Sequence, residues 1–362
     1  MTLRRDGRPT ALRHRIRLAA RTACTLLAAT GLTALGTVND PASAYAVHSD
    51  ATMFVMDLDG TIDVRNLVTG TSTVLQDYIH GLPVDMTFNP AGTEVFFVDV
   101  IDGSVGMAST VTYAPLGSVT ICERPDYLAL DSATNTLYAD CSADNGVPNE
   151  VDVINVANPG APTLIARIPF PDRPYEMLAD PAMNTLYVST DQGIEEVSTA
   201  SNTIEGLLPV PGGSLSVAND PTLMYDASGS DVYVIDLSYT AFVRTIPVPG
   251  GANVSAVCPS SNTLYVSGSG GTSQLYMGGG EITATYPVAV DEPTGGEGLA
   301  LSPDCTTLYE TTQLSYPSSI AAINTATGAV STISPGIGYL TALGVTNVPQ
   351  SVRINPRPLA QH

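Results

Sequence analysis

From about residue 50 onward the chain reads as short apolar or alternating runs broken by Gly, Pro, Asn and Asp, with no sustained 3.6-residue stripe between them. That pattern predicts short strands joined by tight turns. The tetrapeptide Asn-Thr-Leu-Tyr occurs at 135–138, 184–187 and 262–265, with a near copy at 306–309. Adding degenerate copies at Phe54, Phe97 and Tyr225, the aromatic recurs at gaps of 43, 41, 49, 38, 40 and 44 residues. A period near forty marks propeller blades or helical arrays. The strand-like sequence between the copies selects the propeller.

Each unit carries an upstream strand before its aromatic, at 84–88, 127–130, 176–179, 215–218, 254–257 and 298–301. Pro90, Pro181, Pro221, Pro259 and Pro303 cannot donate to a ladder and belong in the connections that follow. Third strands are predicted at 151–155, 231–236 and 319–324, and fourth strands at 163–168 and 242–248. The fold class is therefore all-β: a seven-bladed propeller of four-stranded antiparallel blades. The segment 53–76 offers three strands without an innermost one, whereas 339–345 is an innermost-type strand without partners. The two chain ends are predicted to share one blade.

The first 44 residues follow a different pattern. Seven arginines lead into a small apolar stretch at 22–38, and Ala42-Ser43-Ala44 offers a small-x-small processing site. This predicts a secretory signal peptide over 1–44, the propeller over 45–346 and a tail over 347–362; an uncleaved anchor is the competing reading, but the apolar run is short for a span. Removing the leader moves the net charge from −21 to −26. Such a charge opposes nucleic acid and anionic membrane and favours cations or basic partners. The chain has no lysine, which argues against Schiff-base chemistry and a Lys-dependent phosphate loop. A secreted, extracytoplasmic monomer without a membrane span after processing is expected.

Four cysteines remain after processing, an even number that suggests disulfides in an exported chain. Cys122 precedes the first strand of its blade and Cys141 follows the second, so both reach one face. Cys258 and Cys305 sit near the first turns of adjacent blades, on the other face. The pairings Cys122 with Cys141 and Cys258 with Cys305 are expected, four buried thiols being the alternative.

The upstream pattern best seen at 174–181, the segment Asn184-Thr-Leu-Tyr-Val188 and the segment 323–328 resemble the YVTN-type seven-bladed propellers of the lactonase-like superfamily. The resemblance spans residues 50–345 and implies an extracytoplasmic location. It implies no single activity, because its members include ligand binders, surface-layer proteins and lactone hydrolases, and fold alone does not choose among them.

Nucleophilic catalysis finds little to build on. There is no Gly-x-Ser-x-Gly elbow, and the processed chain has only His48, His80 and His362. His80, near the channel mouth, is the one candidate base, alongside Glu176; a solvated loop histidine is the plainer reading. Zinc would need clustered His or Cys ligands that disulfide pairing removes. The better constellation is acidic. Columns at the start of the innermost strands bring Asp85, Asp126, Tyr127, Tyr175, Glu176, Ser216, Asn253 and Glu297 toward one mouth. Asp85, Asp126, Glu176, Asn253 and Glu297 form a candidate calcium set, and Arg124, Arg173, Tyr127, Tyr175 and Asn253 a candidate ligand-binding set. Arg124 and Arg173 are placed to neutralise Asp126 and Glu176, or to grip a ligand carboxylate. Acids that merely solvate the mouth are the plainer alternative. The expected function is binding of a small molecule, peptide or partner protein at this acidic mouth. A calcium-assisted hydrolase or lyase and a structural cell-surface protein are the alternatives.

Two further acidic runs read as turns. Asp57 to Asp63 and Asp140 to Gly146 both lack the Gly and Glu that a calcium-binding EF loop places at its sixth and twelfth positions. Both are expected to be hairpins.

Overall fold

A computed structural model describes residues 49–75, 79, 81–142, 148–217, 222–288, 298–313 and 319–349. The expected leader, His48, His80, Glu297 and residues 350–362 lie outside them. Among the described residues, twenty-eight strands, β1 to β28 in chain order, form seven four-stranded antiparallel sheets. The closing blade joins β1 (Ser49–Asp57), β2 (Ile62–Asn66) and β3 (Ser72–Leu75) to β28 (Leu340–Pro349), in the order β28-β1-β2-β3. The shared blade is thus present, and its innermost strand runs past the expected end at 346, with Ser49 opposite Pro349.

The other innermost strands are β4 (Pro83–Phe88), β8 (Leu128–Asp131), β12 (Pro174–Asp180), β16 (Ser214–Val217), β20 (Val254–Cys258) and β24 (Leu299–Leu301). Each touches the innermost strand of the next blade, and β28 touches both β24 and β4, which closes the ring. We number the blades from the one opened by β4 as first to the one opened by β24 as sixth, the closing blade being seventh.

Strand register explains the repeat. Tyr138, Tyr187, Tyr225, Tyr265 and Tyr309 lie opposite Val153, Glu196, Val234, Gln274 and Ala322 on the third strands. Each is at most 6% exposed and fills a seam between consecutive blades. These seams are the core: seven apolar clusters, one between each pair of neighbours. In the first blade the equivalent residue is Phe96, which faces Met107 and packs toward the second blade. Phe97, the residue suggested by spacing, turns back toward the closing blade.

The leading Asn of the tetrapeptide has a backbone role. Asn135, Asn184 and Asn262 have φ of 53°, 52° and 52°. This left-handed conformation is strained for most residues and tolerated by Asn and Gly. Asn184→Gly is expected to leave stability nearly unchanged, whereas Asn184→Val costs about 1–2 kcal/mol in denaturant unfolding. Equal losses for the two would remove the conformational explanation.

The hairpin expected at Asp59-Gly60 is present: the Gly60 N–H donates to the Asp57 carbonyl at 3.1 Å, and Gly60 has φ 73°. Asp140 instead lies inside β9 (Thr136–Cys141), fully buried, and the turn expected just after it falls outside the described residues. Both disulfides have the expected pairing, Cys122–Cys141 and Cys258–Cys305.

Candidate functional site

The first residues of the innermost strands surround one end of the channel, and hydrogen bonds between neighbouring blades fix their side chains. Asp85, third in β4, accepts the Met86 N–H at 2.7 Å and reaches across the seam to accept the Leu128 N–H at 2.8 Å. Glu176, third in β12, accepts the Ser214 hydroxyl of the next blade at 3.4 Å. Ser214 Oγ lies 3.1 Å from Ser255 Oγ, which lies 2.8 Å from Ser216 Oγ. Two carboxyls and three hydroxyls therefore form one polar wall running from the first to the fifth blade.

The electrostatics of the two acids are coupled. Burial pushes Glu176 up to about 8, and the charge on Asp85 adds to the rise. Burial pushes Asp85 up to about 7, against the two backbone N–H groups that favour its charged form. Near neutral pH this pair holds a proton, and Glu176 is the member with the weaker internal partner.

The remaining expected residues occupy the rim. Arg173 pairs with Asp126 of the second blade at 2.9 Å and lies over the Tyr175 ring at 5.6 Å. Tyr175 donates its hydroxyl to Asp191, and burial together with that carboxylate pushes its pKa up to about 12. Asp126 also accepts the Ser142 hydroxyl at 3.4 Å. The cross-blade ion pair commits Arg173 to Asp126, one of the two acids that Arg124 and Arg173 were expected to neutralise. Arg124 is exposed, and its carbonyl accepts the Ser142 N–H at 3.4 Å. Tyr127 packs on the seam between the second and third blades. The Asn253 backbone N–H donates to Ser267 at 2.8 Å. Glu297 and His80 lie outside the described residues.

Asp85, Asp126 and Glu176 do not converge on one ion. Among the described residues, the group of three potential metal ligands that does converge is Cys122, Cys141 and Asp152, and two of its members are spent in the disulfide.

Sequence reasoning missed a set of buried carboxylates that hold the innermost strands in place. Asp140 accepts the N–H groups of Asp126 and Tyr127 at 2.8 and 2.6 Å, Asp99 accepts the Leu82 N–H at 3.0 Å, and Asp57 accepts the Gly338 N–H at 2.9 Å. Each stands at or near the end of an aromatic strand and caps the segment entering an innermost one. Burial holds Asp140 well above the ordinary carboxylate range despite those donors. Acids at the ends of aromatic strands were the available signal.

The fold defines the protein as a seven-bladed β-propeller. Solved structures with this fold include a functionally unknown protein from Desulfotomaculum acetoxidans, at TM-score 0.68 and 10% identity over 82% of this chain and 99% of that one. AztD from Citrobacter koseri aligns at TM-score 0.61 and 14% identity over 84% of this chain and 100% of its own. The dihydro-heme d1 dehydrogenase NirN, in complex with DHE, aligns at TM-score 0.59 and 14% identity over 82% of this chain and 75% of its own. At such identities the likeness is one of fold. No protein-family model and no curated protein matches the sequence.

Proposed function

We propose that this protein is an extracytoplasmic binding propeller of YVTN type, which takes a small cationic ligand or the basic side chain of a peptide at the channel mouth. The observation that carries this reading is the Asp85–Glu176 pair. Glu176, at the start of an innermost strand, has one long hydrogen bond from Ser214 and a proton held by burial and by Asp85. An ammonium or guanidinium group can displace that proton and gain a charge-assisted contact in a partly desolvated site. The serine row supplies further acceptors beside it. The two disulfides and the basic, apolar leader support an oxidising compartment.

A calcium-assisted hydrolase has less support. Asp126 is engaged by Arg173, and both oxygens of Asp85 accept backbone N–H groups.

The test is calorimetric titration of putrescine, an arginine-rich peptide and calcium chloride into wild type and Glu176→Gln. An organic cation should bind wild type with release of about one proton at pH 7, more tightly as pH rises through 8, and should lose most of its affinity in the variant. Absence of organic-cation binding to wild type would sink the reading, and heat from calcium alone would revive the metal alternative.

A further inference from the structure

In the register of the third strands, one residue breaks its column. Ala108, Ile154, Val197, Ile235, Leu275 and Ile323 each lie opposite the residue just before the repeat aromatic. All are at most 2% exposed and pack toward the preceding blade. In the closing blade the same position, opposite Met53, is Arg65. A guanidinium thus stands where every other blade places an apolar core residue, in the seam between the closing blade and the sixth.

That seam is not filled. A cavity of about 460 Å³ opens there, lined by Arg65, Leu67, Tyr309, Asn324, Ser331 and Ile333 among others. It combines apolar walls with a few polar groups, in the size range of small-molecule sites. The Arg65 side chain is 21% exposed. Its Nη2 lies 3.6 Å from the buried Asp63 and donates to the Ser334 carbonyl at 3.3 Å. Its Nε is buried and has no hydrogen-bond partner. The other Asp63 carboxylate oxygen accepts the Ser72 hydroxyl, so the acid and the guanidinium do not form a close two-point pair. The part of the guanidinium left exposed lines the cavity, where a planar carboxylate can take a charge-assisted hydrogen bond.

We propose that this seam is a second binding site, distinct from the channel mouth, for a small carboxylic acid with an apolar body. The carboxylate meets Arg65, and the body lies against Leu67, Tyr309 and Ile333.

Phenylacetate and hexanoate are the probes, with 2-phenylethanol as the uncharged control, followed by calorimetry and ligand-observed NMR. The expected result is saturable binding of at least one acid at one site per chain and no binding of the alcohol. Arg65→Leu, which restores the column residue, should keep the fold and bind the acid about tenfold or more weakly. Ser331→Trp places bulk at the exposed edge of the cavity, leaves Arg65 untouched and should also block binding. It keeps the test decisive if Arg65→Leu fails to fold. Glu176→Gln should bind the acid as wild type does, which separates this site from the channel. Failure of both acids to bind wild type, or undiminished binding to a folded Arg65→Leu or to Ser331→Trp, overturns the proposal.

Discussion

Thermal and denaturant stability should be highest in mild acid and fall as pH rises from about 4 to 9. A strong contributor is Asp226 in β17 (Leu223–Ser228), alongside Asp140, which burial also holds well above the ordinary range. Asp226 is fully buried, neither carboxylate oxygen has a well-formed hydrogen bond, and burial outweighs the nearby Gly213 backbone to push it up to about 8. The corresponding acid in the sixth blade is Glu310, whose oxygens take the Ser267 and Thr272 hydroxyls of the fifth. The third blade carries Ser189 and Ile194 at the positions equivalent to Ser267 and Thr272, and Ser189 spends its hydroxyl on the Gly213 carbonyl. A folded-state pKa raised above the unfolded value means that the folded state holds the proton more tightly. The contribution is complete below about pH 4 and disappears as pH passes through the folded value near 8. Glu176 and Asp85, raised to about 8 and about 7, act in the same direction, as does Asp152 at about 6. Growing net negative charge reinforces the trend. Asp226→Asn keeps the shape and removes the ionisation, so it should stabilise the protein at pH 8.5 by on the order of 2–4 kcal/mol and change little at about pH 4. Unfolding curves at the two pH values check both statements, and wild-type stability that rises with pH would contradict the assignment.

The architecture was legible because a repeat states its fold many times over. One blade with Asn-Thr-Leu-Tyr would be ambiguous, but several at a common spacing, with strand-like sequence between, leave few alternatives. The missed register in the first blade has a local cause: Phe96 and Phe97 are consecutive, and only cross-strand pairing tells which of them enters the next seam. At the mouth, Asp85 and Glu176 could be found by aligning columns, since their positions at the strand starts follow from the repeat. Ser214 and Ser255 could not, because serine is frequent and its role depends on a neighbour about forty residues away. Asp126 suggested a metal ligand in sequence, yet its partner Arg173 is 47 positions on and one blade over. Arg65 was invisible for a related reason. An arginine in a strand is unremarkable until register places it among six aliphatic residues.

Removing the two disulfides should have unequal consequences for stability and the opposite ranking for binding. Cys258–Cys305 closes a separation of 47 residues and fastens the end of β20 to the turn that follows β24 inside the sixth blade; Cys122–Cys141 closes a separation of 19 within the second blade. Constraint of the unfolded chain grows with loop length, so double serine replacement should cost about 4 kcal/mol for the first pair and about 3 kcal/mol for the second. Cys258 is also fully buried in the seam between the fifth and sixth blades, so its loss loosens that packing too. The shorter bridge, however, lies at the mouth. Cys141 follows Asp140, whose carboxylate holds the Asp126 and Tyr127 N–H groups, and Asp126 anchors Arg173 at the rim. The Cys122→Ser, Cys141→Ser double variant should therefore lose several-fold in affinity for a channel ligand while remaining folded. The Cys258→Ser, Cys305→Ser variant, with its bridge at the opposite end of the strands, should bind nearly as wild type wherever it is folded. Chemical denaturation combined with titration of the same samples separates the two effects. Loss of binding in proportion to loss of stability in both variants would mean that the Asp140 strut does not position the mouth.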